Sequence, residues 1–229
     1  MKILQIIPQL SSGGGERFTV DLCNELAEKG HELIICTLFE LHEGTSGFYL
    51  PQVSNKVKVI SLNKKEGFDF SLIKKINKLV KREKPDIIHT HLRSIIYTVY
   101  ANMFLSRGVH TVHNEAQVEA SDKLSQFVRK FLFKNGYVQP VTISEVSHQS
   151  FVDFYKMDAP MIFNGRNIPA NLQVSEEVRA ECNSYRKNEK TRLIVHLAHL
   201  DNVKRQLLHA RVAKRLQNEG YNLGVLFIG

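Results

Sequence analysis

The stretch KILQII at residues 2–7, followed by SSGGGER at residues 11–17, decides the fold of this chain. The first part is a short apolar run of strand length, and Phe18, Leu22 and Leu26 recur at helical spacing after the glycines. Glycines between a strand and a helix let the backbone turn sharply and approach a ligand closely. Free N–H groups at the start of a helix attract an anion. The sequence therefore predicts an anion-binding loop at the first strand–helix junction.

Strand and helix patterns alternate along almost the whole chain, which is typical of a parallel sheet covered by helices on both faces. The turn dipeptide Asn164-Gly165 and a polar stretch over residues 176–190 then precede a new strand–helix–strand unit. We therefore predict a first domain over residues 1–168 and the beginning of a second over residues 169–229. Further strands are predicted at 32–38, 57–60, 86–91, 109–113, 138–143, 192–198 and 223–228, and further helices at 70–84, 94–106, 122–135 and 206–219, with another that Ser144 caps.

The composition is that of an ordinary globular protein, with 43% hydrophobic and 24% charged residues among 229. No apolar run is long enough for a membrane span, and the N-terminus lacks a small-residue cleavage site, so we expect a cytoplasmic protein. Cys23, Cys36 and Cys182 are widely spaced and form no Cys-x-x-Cys pair. We expect inert thiols rather than a disulfide framework or a zinc site.

The net charge of +8 is concentrated in part on the predicted helix over residues 70–84. Its cations alternate with apolar residues, so they belong either to a solvated helix face or to a surface that attracts anionic lipid headgroups or polyanionic substrates. Nucleic acid fits less well, because the chain has no Trp, no zinc finger and no interleaving of aromatic and basic residues. The cations are Lys74, Lys75, Lys78, Lys81, Arg82 and Lys84.

Histidines concentrate at the predicted carboxyl ends of two strands. His89 and His91 close one strand, and His113 closes the next, with Asn114 and Glu115 directly after it. Ligands of open α/β sheets bind at this edge, where these side chains would meet the glycine loop. His89 also fits a structural role, and a metal site is disfavoured because no Asp or Cys partner lies nearby. A dinucleotide site is disfavoured because the spacing G-x-G-x-x-G is not met.

The segment HLAHLDNVKRQ at residues 196–206 places two cations, Lys204 and Arg205, at the start of a predicted helix. Helix N–H groups together with these cations would hold a pyrophosphate. A capped, solvated helix start is the alternative interpretation of the same segment.

Six motifs in this order resemble the retaining, GT-B-fold glycosyltransferases of family four. The resemblance covers essentially the whole chain and implies a Rossmann-like parallel sheet with helices on both faces, followed by an incomplete second Rossmann-like domain. The motifs are GGGER at 13–17, PDIIHTH at 85–91, TVHN at 111–114, ISE at 143–145, IFNG at 162–165 and LAHLDNVKRQ at 197–206.

The resemblance implies transfer of a sugar from a nucleotide-diphosphate sugar to a glycan or lipid-linked acceptor, with retention and with neither metal nor cofactor. His113 would contact the transferred sugar as the catalytic residue, and Lys204 would neutralise the leaving diphosphate. Phosphate contacts are predicted for Gly13, Gly14, Gly15, Arg17, His199, Lys204 and Arg205, and the sugar and acceptor cleft is predicted at His91, Asn114, Glu115, Ser144 and Asn164.

Two departures from the family pattern and one absence limit this expectation. Asn167 stands where an Asp is common. Ala198 and His199 stand where the family usually has Gly-Arg, so a bidentate cation is missing from the pyrophosphate clamp. The family's Glu-(seven residues)-Glu pair would lie beyond Gly229, so we expect this 229-residue form to be weak or inactive alone. A non-catalytic module of the same fold that binds a sugar phosphate or nucleotide is the alternative. We also expect peripheral contact with an anionic membrane at its inner face, and no nucleic-acid partner.

Overall fold

The computed structural model describes residues 1–120, 122–165, 173–198, 200 and 202–229. The chain divides into two compact units, Met1–Asn167 and Ile168–Gly229.

The first unit is a six-stranded, all-parallel sheet with helices on both faces, which confirms the predicted fold class. Its strands are β1 Lys2–Ile7, β2 Glu32–Thr37, β3 Val57–Ser61, β4 Ile87–His91, β5 Arg107–Val112 and β6 Val138–Thr142. Its helices are α1 Gly14–Glu28, α2 Ser71–Glu83, α3 Val99–Phe104, α4 Ala116–Glu119, α5 Lys123–Lys134 and α6 Glu145–Tyr155.

The strand order is β3-β2-β1-β4-β5-β6, so the direction in which strands are added reverses between β1 and β4. The central strands are buried on both faces, and two apolar clusters fill the space between sheet and helices. Ligands of such sheets bind in the crevice at the carboxyl ends of the strands where the order reverses. The glycine loop follows β1 and the histidines end β4 and β5, so the topology brings the two predicted site regions to this crevice.

The single helix predicted over residues 94–106 is wrong, because a 3₁₀ segment at Leu92–Tyr97 precedes the short helix α3. Leu92 has a left-handed backbone, with φ of 53°. The hydroxyl of Ser94 donates to the carbonyl of Ile6 (2.7 Å) and accepts from the N–H of His91 (3.2 Å). These bonds tie the segment to the edge of the sheet and prevent a regular helix from starting there.

The second unit contains a parallel strand pair, β7 Arg192–Leu197 and β8 Leu223–Ile228, with α8 Gln206–Asn218 between them. The polar stretch before it, for which no helix was predicted, includes helix α7 Glu176–Ser184. Ser175 caps α7 by accepting from the N–H of Val178 at 3.3 Å, and two glutamates stand in its first turn. Capping and acidic residues at the N-terminus therefore stabilise a helix that has almost no apolar stripe.

The basic helix α2 has the predicted amphipathic arrangement. Leu72, Ile76, Leu79 and Val80 are buried against the core, and the cations face solvent. Among the residues that the structure describes, no helix combines the length and the apolar character needed to cross a membrane.

Thiol reagents are expected to modify Cys182 and to spare Cys23 and Cys36 in the folded protein. Cys23 and Cys36 are fully buried. Burial raises the pKa of the Cys36 thiol to about 12 and raises that of the Cys23 thiol further, so neither cysteine supplies a thiolate. Cys182 lies on α7 and is partly exposed. A colorimetric thiol titration should give one fast equivalent natively and three in denaturant, and Cys182→Ser should remove the fast one. Fast modification of the Cys182→Ser variant would contradict this assignment.

Candidate active site

A buried hydrogen-bond chain runs from β1 to the end of β5. The side-chain oxygen Oε1 of Gln5 lies 2.7 Å from Nε2 of His91, and Nδ1 of His91 lies 3.0 Å from Nε2 of His113. Gln5 and His91 are completely buried, whereas His113 is partly exposed. The ring of Phe18 on α1 stands edge-on to both imidazoles, at centroid distances of 6.1 and 5.5 Å. The predicted pair His91 and His113 is thus held as one rigid group.

The glycine loop lies directly over this group. A Cβ added to Gly15 would lie 3.6 Å from the ring of His113, whereas one added to Gly14 would meet nothing within 4 Å. Gly13 is the N-cap of α1, and a Cβ there would collide with the carboxylate of Glu16. Because this carboxylate sits at the start of α1, it already complements the helix dipole. The loop therefore presents open backbone at Gly14 and Gly15 beside His113.

A second buried network anchors the backbone just after β5. Oε1 of Glu119 accepts from the N–H groups of His113 (2.5 Å) and Asn114 (3.1 Å). Its other oxygen accepts from Nη1 of Arg129 at 3.0 Å, and the same nitrogen lies 2.5 Å from Nε2 of His110. Nη2 of Arg129 donates to the carbonyl of Leu92 at 2.7 Å. This ion pair therefore fixes the backbone after both histidine-bearing strands.

The histidines at this edge are neutral, because burial lowers the pKa of each. The pKa falls to about 3 for His89, to about 4 for His110 beside Arg129, and well below the ordinary value for His91. Burial lowers the pKa of His113 as well. Burial by itself would raise the pKa of Glu119, but His110 and Arg129 hold it below its ordinary value, so this carboxyl is ionised.

A cavity of about 700 Å³ opens beside the residues that follow strands β1, β4 and β5. Asn114 and Glu119 form the wall nearest His113. The ammonium of Lys64 lies 4.8 Å above the ring of Phe39 and donates to the carbonyls of Lys65 and Gly67. The remaining wall is largely apolar and aromatic, with one further cation: Pro8, Leu38, Phe68, Leu92, Arg93, Ile96, Tyr97 and Val118.

Several predicted site residues have other partners in the structure. Arg17 pairs with Asp21 (3.0 Å), bonds Gln52 and lies 5.5 Å from the ring centre of Tyr49. Ser144 caps α6, where its hydroxyl accepts from the N–H of Ser147 at 3.2 Å. Glu115 is the N-cap residue of α4 and is exposed, with its carboxylate bound to Gln117, and Asn164 is exposed in a segment without regular structure.

In the second unit, Lys204 ends a 3₁₀ turn and Arg205 is the N-cap residue of α8, with a left-handed φ of 55°. Both side chains are exposed. His199 lies outside the described residues. Across the described ranges, no group of three or more His, Cys, Asp or Glu side chains is arranged to hold a metal ion.

The model of the family described as Glycosyltransferase Family 4 matches residues 12–196, which is more than half of the chain. The chain belongs to this family. The predicted resemblance is confirmed, and the fold is the GT-B type expected from the motifs.

Solved structures agree with this fold. A glycosyltransferase from Rickettsia africae ESF-5 superimposes with a TM-score of 0.67 and 20% identity, over 100% of this chain and 68% of that one. Anabaena Alr3699/HepE, in complex with UDP and glucose, gives 0.62 and 15% identity, over 100% of this chain and 70% of that one. An uncharacterized 42.6 kDa protein in the cps region of Klebsiella pneumoniae is 25% identical over 203 residues, 78% of this chain. The chain spans 50% of the length of that curated relative.

Four residues of the site were not predicted from sequence: Gln5, His110, Glu119 and Arg129. Gln5 carried a visible signal, since it is a polar residue inside an otherwise apolar strand. His110 precedes the predicted Thr-x-His motif directly, in a strand where buried positions follow one another. Glu119 and Arg129 carried no signal of their pairing, because the helix that holds Glu119 is only four residues long.

Proposed function

We propose that this protein transfers a sugar from a nucleotide-diphosphate sugar to a hydroxyl of a glycan or lipid-linked acceptor, with retention and without a metal ion. One observation carries the proposal: the His91–His113 pair and the open backbone of Gly15 lie together where the strand order reverses, and Asn114, directly after His113, lines a cavity of about 700 Å³. Membership of Glycosyltransferase Family 4 supports the reaction class, and UDP and glucose in the complex of the Anabaena protein support the donor class.

The cavity suits the acceptor. Its aromatic rings offer faces on which sugar C–H groups or a lipid chain pack, and the Phe68 and Tyr97 rings lie 5.1 Å apart at a tilt of 30°. Lys64 and Arg93 offer positive charge to a phosphate or carboxylate of the same acceptor. Asn114 lines this wall and directly follows His113 in the chain, so an acceptor hydroxyl held here is close to the transferred sugar.

Donor chemistry requires that the bond between C1 of the sugar and the diphosphate breaks. In our proposal the acceptor oxygen attacks C1 on the face from which the diphosphate leaves, and the hydroxyl proton passes to a phosphate oxygen. His113 contacts the sugar. Lys204 and Arg205, the predicted phosphate ligands, neutralise the departing diphosphate. Stabilising this charge with fixed cations and N–H groups is the main catalytic contribution.

Release of nucleoside diphosphate tests the function. The chain, or the complete gene product where the gene encodes more, is incubated with UDP-, GDP- and ADP-sugars and acceptor lipid. We expect one donor to turn over, and His113→Ala to lower turnover at least about tenfold, which is about 1.4 kcal/mol of transition-state stabilisation. His148→Ala, which removes another partly buried histidine of the first unit, is the control and should retain activity.

Donor binding without turnover would favour the non-catalytic alternative. Neither binding nor turnover across the whole donor panel would refute the proposal.

We propose in addition that α2 contacts an anionic membrane surface, as expected of a cytoplasmic enzyme with a lipid-linked acceptor. Its cations are exposed, and Phe70 at its N-terminal end is 75% exposed. Each Lys near such a surface contributes about 1 kcal/mol. Lys74→Gln with Lys78→Gln should therefore weaken binding to phosphatidylserine vesicles roughly thirtyfold in a sedimentation assay.

Lys130→Gln with Lys134→Gln provides the control for this experiment. It removes the same charge at the same spacing from the exposed side of α5, and we expect little change in vesicle binding. Equal losses in the two double variants would show that only net charge matters, and no loss in either would refute the contact.

A further inference from the structure

We propose that Gln5 and His91 are positioning residues that fix the tautomer of His113, so that its Nδ1 faces the bound sugar as a hydrogen-bond acceptor. The inference rests on the proposed contact between His113 and the transferred sugar. It gives Gln5 and His91 a role in the site and assigns the direction of the hydrogen bond that recognises the sugar: a sugar hydroxyl donates and His113 accepts.

The Gln5 amide determines which atoms donate and which accept along the hydrogen-bond chain from Gln5 to His113. Its oxygen faces Nε2 of His91 at 2.7 Å, and an amide oxygen only accepts, so Nε2 of His91 carries the proton. A neutral imidazole has one N–H, so Nδ1 of His91 must accept from Nε2–H of His113 at 3.0 Å. The remaining nitrogen of His113, Nδ1, is then left with a lone pair.

Nδ1 of His113 is available to a ligand. Within the described ranges it has no hydrogen-bond partner, and His113 is partly exposed although the two residues behind it are completely buried. Gly15 covers one face of the ring without a side chain, so backbone and imidazole leave room for a hydroxyl group. Phe18 holds the ring in place, and the hydrogen bond that the His113 N–H donates to Glu119 holds its backbone.

Gln5 makes an imperfect structural residue, which supports a functional role. Its amide nitrogen is buried and has no hydrogen-bond partner in the described part of the chain. A buried donor without a partner costs free energy in the folded state. An apolar side chain of similar shape at this position of β1 would avoid that cost, so the amide is better explained by what its oxygen does to His91.

Imidazole ¹⁵N spectra of the histidine-labelled chain test the tautomer directly. The His113 signals are assigned from their absence in His113→Asn. We expect Nε2 of His113 to have the chemical shift of a protonated nitrogen and Nδ1 that of an unprotonated one. Gln5→Glu keeps an acceptor for His91 and should preserve this pattern. Gln5→Met removes the acceptor and should move the proton of His113 to Nδ1 in part of the molecules.

A matched control variant separates a change of the His113 tautomer from a general loss of stability. Thr98→Val removes a fully buried hydroxyl that bonds Ile95 and Asn102, away from the histidines, and should leave the His113 spectrum unchanged. In the active protein, Gln5→Met should lower kcat at least about fivefold with a smaller change in KM for the donor, and Gln5→Glu should restore part of the rate.

Two results would overturn the inference: a proton on Nδ1 of His113 in the unmodified chain, or an unchanged His113 spectrum in Gln5→Met. Because the spectra need no turnover, they test the tautomer even if the proposed reaction is refuted. In that case, the absence of donor turnover would refute the function, while the spectra would still confirm or refute the assigned tautomer of His113.

Discussion

Lowering the pH from 7 to 5.5 is expected to reduce the free energy of unfolding of the first unit by about 4 kcal/mol. Burial lowers the pKa of His89 to about 3 and of His110 to about 4, and it lowers that of His91 well below the ordinary 6.5. Below pH 6.5 these three histidines are therefore protonated in the unfolded chain but stay neutral in the folded chain. Stability is fully present above pH 6.5 and is lost as the pH falls towards 4.

The size of this effect follows from linkage. Each of the three histidines costs about 1.4 kcal/mol for every pH unit below 6.5 until its folded pKa is reached. Domains have a total stability of about 5–15 kcal/mol, so a loss of this size is a large fraction of the stability of the unit. Glu119 adds to the loss only below its ordinary pKa, because its folded pKa is lowered.

Urea unfolding followed by circular dichroism between pH 7.5 and 5 measures the effect, since the chain has no Trp to report by fluorescence. His89→Asn should reduce the slope of stability against pH by about a quarter to a third, because it removes one of the contributions of His89, His91 and His110, to which His113 adds. His42→Asn, at an exposed loop position, is the control and should keep the full slope. A flat profile from pH 7 to 5.5 would contradict neutral burial of these histidines.

The strands and the crevice could be predicted because each depends on local pattern. Apolar runs of strand length predicted the eight strands found in the described part of the chain, and parallel alternation placed the glycine loop and the histidines at one edge. The helix predicted over residues 94–106 failed because its start is set by Ser94 bonding to β1, a contact 88 residues away in sequence. Periodicity contains no information on such a bond.

The site was predictable only where its residues end strands. His91, His113 and Gly15 meet as expected, because parallel strands align their carboxyl ends. The burial of Arg129 was not predictable, because α5 does not bury its residues in the order of their hydrophobicity. Arg129 is 1% exposed, whereas Phe127 is 70% exposed. A cation faces the core there because Glu119, on another element, pairs with it. Buried ion pairs between distant elements leave no periodic signal in either element.

Replacing Arg129 with Met is expected to lower the free energy of unfolding by about 3–5 kcal/mol, because it leaves the carboxylate of Glu119 buried without its cation. Four hydrogen bonds of the guanidinium are lost together, to Glu119, His110, Ser125 and the Leu92 carbonyl. Urea unfolding at pH 7.5 measures the change.

Arg93→Met is the matched control, since it breaks an ion pair with Asp122 of even shorter distance, 2.6 Å, at the surface. Both partners are substantially exposed, so solvent screens the pair and the expected cost is at most about 1 kcal/mol. Adding Glu119→Gln to Arg129→Met removes the stranded charge and should recover part of the loss, because a neutral amide can still accept from the backbone after β5. If Arg129→Met cost no more than Arg93→Met, the buried pair would not be what holds the backbone beside His113, and that backbone would owe its position to the sheet alone.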